Sequence, residues 1–116
     1  MNESFSADEQ LKDIYELTRL YDMYGVLLSE HNREIFEDYM LNDLSLGEIA
    51  DEQGISRQGV RDTVRRCSGK LKSYEDKLGM LKKLDDASGL INKLELLVKD
   101  EEGQKTISQI KNLFEL

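Results

Sequence analysis

Proline is absent from the 116 residues, so no position forces a helix to stop for want of a backbone N–H. A single cysteine, Cys67, excludes an internal disulfide, and one histidine, His31, beside it leaves no cluster of ligands for zinc or another transition metal. Tryptophan is missing and β-branched residues are sparse, which argues against a sheet. Apolar runs extend for only a few residues, far short of the roughly 20 that cross a bilayer, and the N-terminus lacks the basic-then-apolar order of a signal peptide. A cytoplasmic protein with no membrane span, structural metal or cofactor is expected. No catalytic residue is expected either: His31 lacks a partner nucleophile, Cys67 falls on an apolar seam, and Asp85-Asp86 and Glu101-Glu102 read as solvated helix ends.

What is abundant is Leu, Glu, Lys and Asp, the composition of an all-α chain. Residues 1–10 read as a flexible lead-in, with Ser6 able to cap the helix that follows. Leu11, Ile14, Leu17, Tyr21, Tyr24 and Leu28 recur at helical steps and predict a first helix. Ser29 can cap a second, with Ile35, Phe36, Tyr39 and Met40 facing inward, ending near Leu41 before the turn signal Asn42-Asp43. Ser45-Leu46-Gly47-Glu48 has capping-box spacing, so a short third helix begins there with Ile49 and Ala50 inward. Gly54 supplies a residue that tolerates positive φ, Ile55 can pack beneath the turn, and Ser56 can cap the next helix. Helix, glycine turn and capped helix form the helix-turn-helix pattern, in which a small residue, Ala50, lets the two helices cross closely.

From Val60 the apolar seam runs through Val64, Cys67, Leu71, Tyr74, Leu78 and Leu81, which predicts one long helix. Gly89 then separates it from a stripe at Leu90, Ile91, Leu94, Leu97 and Val98, and Gly103 precedes another at Ile107, Ile110, Leu113 and Phe114, so two short C-terminal helices are expected. The organisation that follows is a helix-turn-helix domain over residues 11–84 and a helical extension over 85–116. More apolar stripes than this core can cover predict a homodimer built from the extension and the end of the long helix.

The net charge of −8 opposes a nucleic-acid partner on average. Locally the sign reverses: residues 57–72 hold six basic side chains against a single acid, Asp62, for a net of +5, which leaves −13 elsewhere. At roughly 100° per residue from Val60, Arg57, Gln58, Arg61, Arg65 and Lys72 fall between about 60° and 160°, off the inward sector of Val64, Cys67 and Leu71. Arginines one turn apart can each hold a phosphate or the O6/N7 edge of guanine, Gln58 can pair with adenine, and Ser56 with the first-turn N–H groups offers an anion anchor. Nucleic acid, DNA ahead of RNA, is therefore the expected partner of Ser56, Arg57, Gln58, Arg61, Arg65 and Lys72. The plain alternative is a solvated face whose arginines pair with Glu48, Asp51 and Glu52.

Leu44-Ser45-Leu46-Gly47-Glu48-Ile49-Ala50-Asp51-Glu52-Gln53-Gly54-Ile55-Ser56-Arg57-Gln58-Gly59-Val60 resembles region four of bacterial sigma factors, which reads the promoter −35 element. The wider span 17–80, with Tyr24-Gly25-Val26-Leu27-Leu28, Tyr39 and Tyr74-Glu75-Asp76-Lys77-Leu78, resembles the YlxM family of small bacterial proteins. That resemblance implies a sigma region-four-like fold and, because genes of the family usually neighbour those of the signal recognition particle, a regulatory or accessory role in that pathway. It implies no catalytic residue and no cofactor. The competing expectation is a protein-interaction module, an accessory factor of the signal recognition particle that does not touch nucleic acid.

Overall fold

The computed structural model describes residues 7–116, with side chains from residue 13 onward. Most of the expected lead-in, with Ser6, and the side chain of Leu11 lie outside the described residues. Among the described residues there are six α-helices and no strand: α1 (Ala7–Tyr24), α2 (Glu30–Met40), α3 (Leu46–Gln53), α4 (Arg57–Leu78), α5 (Met80–Leu97) and α6 (Glu101–Phe114). A single 3-10 turn, Gly25–Leu27, joins α1 to α2. The chain divides into two compact units between Lys77 and Leu78.

In the first unit the helix ends follow their local chemistry. The Ser29 hydroxyl accepts from Asn32 N–H at 3.3 Å and starts α2. At α3 the capping box is closed on both sides: Ser45 Oγ accepts from Glu48 N at 3.1 Å and Glu48 Oε1 from Ser45 N at 3.0 Å. The Ser45 backbone N–H, and after it the Ser45 hydroxyl, hold the Glu48 carboxyl below the usual glutamate range. The α3–α4 turn is closed by the Ala50 carbonyl, which accepts from Gly54 N–H and from Ile55 N–H. Gly54 sits at φ 68°, left-handed backbone that a side chain would strain.

Packing then selects among the apolar faces. Ile35 of α2, Ile49 and Ala50 of α3 and Val60 of α4 form one buried cluster, with Leu44, Leu46 and Val64 against its margin. Tyr21 of α1 stacks on Phe36 of α2 with ring centroids 5.2 Å apart, and Tyr24 meets Tyr74 of α4 at 6.0 Å. Cys67 and Leu71 are fully buried further along α4. Burial pushes the Cys67 thiol up, as expected of an inert packing residue.

Several apolar positions stay outside this core. Ile14 and Tyr39, both expected to face inward, are 47% and 41% exposed, because a helical stripe is wider than the neighbour that covers it. Ile55 does not tuck beneath the turn but stands exposed at its tip.

The long helix also ends sooner than the seam suggested. Gly79 adopts φ 60°, so α4 stops at Leu78 and α5 starts at Met80. Gly89 by contrast is an ordinary helical residue inside α5, which makes one 18-residue helix of what the glycine was expected to divide. In the second unit Asp100 caps α6 by accepting from Gly103 N–H at 2.8 Å, so that helix begins before Gly103 rather than after it. Lys111 Nζ of α6 lies 2.7 Å from Glu95 Oε1 of α5, and Gln104 Nε2 donates to the carbonyls of Glu95 and Val98. Ile107 is the only buried side chain among the described residues of this hairpin.

Candidate nucleic-acid interface

The interface is built on the first turns of α4. Ser56 Oγ accepts from Gly59 N–H at 2.9 Å, which starts the helix by satisfying one of its first-turn donors. Because α4 buries Val60, Thr63, Cys67 and Leu71, the residues between these are pushed to the opposite side. Arg57, Gln58, Arg61 and Arg65 are exposed and share that side within about two turns, and Ser56 is exposed just ahead of the helix.

Each cation has a distinct setting. A Cβ on Gly47 would come within 3.1 Å of Arg57 Nη2, so the Arg57 guanidinium lies against the first turn of α3 and spans the two helices of the motif. Arg61 Nη1 donates to Gln58 Oε1 at 3.5 Å, Gln58 Nε2 donates to Asp62 Oδ1 at 3.0 Å, and Arg65 Nη1 stands 3.7 Å from the same oxygen. Those four side chains form a continuous polar chain along the exposed face. Arg66 turns the other way and donates to Thr63 Oγ1 at 3.2 Å, while Thr63 donates to the Gly59 carbonyl. Lys72 lies about 16 Å beyond Arg61 along the axis and faces Asp13 of α1 at 3.9 Å, so the structure groups it with α1 rather than with the other five.

Among the described residues no ion pair joins Arg57, Arg61 or Arg65 to Glu48, Asp51 or Glu52; Glu48 is engaged in its capping box. The one acid within this face is Asp62, whose part in the network sequence reasoning passed over. Its signal was present as spacing, four residues after Gln58 and three before Arg65, where helical side chains meet. Among the described residues no group of His, Cys, Asp and Glu side chains is placed to hold a metal ion, and no helix is long and apolar enough to cross a membrane.

Comparison with known proteins agrees with this architecture. A UPF0122 protein of Thermoanaerobacter sp. (strain X514) is 48% identical over 87 residues, covering 75% of this chain and 72% of that protein. One from Caldanaerobacter subterraneus subsp. tengcongensis is 50% identical over 82 residues, 71% of this chain and 70% of the relative. One from Bacillus thuringiensis (strain Al Hakam) is 41% identical over 92 residues, 79% and 84% of the two chains. The profile of the UPF0122 family, described as helix-turn-helix proteins like YlxM and p13, matches residues 11–113. With the capped α3, the Gly54 turn and the exposed basic start of α4 in place, the chain belongs to the UPF0122 family of YlxM/p13-like helix-turn-helix proteins.

Proposed function

We propose that this protein binds nucleic acid, duplex DNA in preference to RNA, through the exposed start of α4, and that it acts by binding rather than catalysis as a cytoplasmic regulator. The observation that carries the proposal is the set of outward-facing Arg57, Gln58, Arg61 and Arg65 on the second helix of a capped helix-turn-helix, in a tract whose charge is opposite to that of the whole chain. A 22-residue α4 whose inner face is buried can enter a major groove by its N-terminal half. The −13 outside the tract supports tight confinement of that contact, since the rest of the surface repels phosphate. Resemblance to the YlxM family extends the proposal to a regulatory or accessory role in the signal recognition particle pathway.

Anisotropy titrations of labelled duplex and of structured RNA at 50 and 200 mM salt test this reading. Three arginine–phosphate contacts give a log–log slope near −2.7, so a fourfold rise in salt weakens binding about 40-fold. Arg61→Glu with Arg65→Glu removes two of the three and leaves a loss of only about threefold to fourfold, with the helical circular-dichroism signal unchanged because both side chains are exposed. Affinity that ignores both salt and the double substitution overturns the proposal and favours a protein-docking module.

A homodimer completes the proposal by supplying two reading helices to paired half-sites. Its support is the α5–α6 hairpin, where Ile107 is buried while Leu90, Leu94 and Leu97 stand 67%, 41% and 69% exposed on neighbouring turns of α5. With one fully buried side chain and the rest of its apolar residues half-buried or exposed, the hairpin has little apolar cover of its own. Sedimentation equilibrium at tens of micromolar returns twice the chain mass for the parent; a parent monomer refutes it.

A further inference from the structure

Asp62 is an anomaly on the proposed reading face. It is the single acid among six basic residues of the tract, and it occupies an angular position between Gln58 and Arg65 on one side and Arg66 on the other. Its carboxylate is nearly half exposed and takes both Gln58 Nε2, at 3.0 Å, and Arg65 Nη1, at 3.7 Å. A charge placed only for solubility would not sit where it lowers phosphate affinity. Pairs at these spacings also steady an exposed helix, a role that any face of α4 could supply.

Major-groove chemistry accounts for the position. A carboxylate can only accept, and it is repelled by phosphates and by any base edge that presents acceptors alone. Guanine shows N7 and O6 and thymine shows O4, so all of these reject it; adenine sets its N6 amino group beside the N7 acceptor; cytosine offers the N4 amino group without a competing acceptor in that groove. Building on the nucleic-acid reading above, we propose that Asp62 is a specificity-determining residue that accepts a hydrogen bond from cytosine N4 at one position of a duplex DNA site. In the free protein Gln58 and Arg65 satisfy that carboxylate. On DNA they exchange it for base or phosphate groups, and the site excludes guanine and thymine by repulsion as well as selecting cytosine by attraction.

The test is selection from a random duplex pool with the full chain and with D62A and D62N, followed by anisotropy on the selected duplex and on each single-base variant of it. The parent enriches cytosine at one position, with about tenfold or greater loss for the other bases there. D62A loses that preference alone and gains a few-fold affinity for unrelated duplex, because a negative charge has left the phosphate-facing surface. D62N moves the preference at the same position to adenine, since an amide pairs with adenine N6 and N7; a residue that only holds Gln58 and Arg65 in place would show no such switch. Identical base preferences in the three proteins overturn the inference while leaving duplex binding intact. So does salt-sensitive duplex binding with no base preference in the parent. Binding confined to structured RNA overturns it as well, because the deep, narrow major groove of A-form RNA does not admit a helix. Absence of any salt-sensitive binding removes the underlying nucleic-acid proposal along with it.

Discussion

Replacing Ala50 with leucine probes the crossing on which the helix-turn-helix depends. Ala50 is 6% exposed and packs in a cluster with Ile35, Ile49 and Val60, each fully buried. Leucine adds three carbons at this buried crossing, and the usual cost of such overpacking is about 1–3 kcal/mol. Retreat of α3 from α4 is also costly, because the Ala50 carbonyl closes the turn by accepting from both Gly54 and Ile55 N–H. A figure of about 2 kcal/mol is therefore expected, and for a unit of this size each kcal/mol lowers the melting temperature by about 4–8 °C, giving a drop of about 8–16 °C. Glu52→Leu, on the exposed side of the same helix, adds an apolar side chain where nothing is packed and should fall within about 0.5 kcal/mol of the parent. Thermal unfolding followed by circular dichroism on the three proteins decides it. An Ala50→Leu protein that melts with the parent, or Glu52→Leu falling as far, would refute the claim that α3 and α4 cross closely at this residue.

Gly54→Ala should cost about 1–2 kcal/mol by denaturant titration, and since a Cβ there meets nothing within 4 Å, the loss is backbone strain alone and Gly54→Asn should recover part of it. The Glu48 carboxyl, held below its ordinary range by Ser45, stabilises the fold above the unfolded pKa near 4.3, and that contribution disappears as pH falls through the folded value. The melting difference between the parent and Glu48→Gln should accordingly stay flat above about pH 5.5 and shrink toward pH 3; a difference that grows on acidification contradicts the capping-box account. Cys67, fully buried with its thiol pushed up, should resist an aromatic disulfide reagent at pH 8 until denaturant is added. Leu90→Glu with Leu97→Glu, both at exposed positions, should convert a dimer to monomer in sedimentation equilibrium without lowering helicity.

Local chemistry was legible in the residue order because its partners lie three or four positions apart. The caps at Ser29, Ser45 and Ser56, the reciprocal bond of Glu48 and the left-handed Gly54 all follow from neighbours on one turn. The exposed arginine stripe followed likewise, since burying Val60, Cys67 and Leu71 leaves Arg61 and Arg65 no other side. Only the folded structure decided matters in which several residues had equal local claims. Gly69, Gly79 and Gly89 share the same backbone freedom, yet only Gly79 takes positive φ and ends a helix. Helical periodicity likewise names a face without saying how much of it a neighbour covers, so Leu17 is buried while Ile14, one turn earlier on the same stripe, is not. Arg57 lies against the first turn of α3 at Gly47, and Lys72 faces Asp13 on α1. Those partners lie on other helices, and only the packing of α3 and of α1 beside α4 brings them within reach.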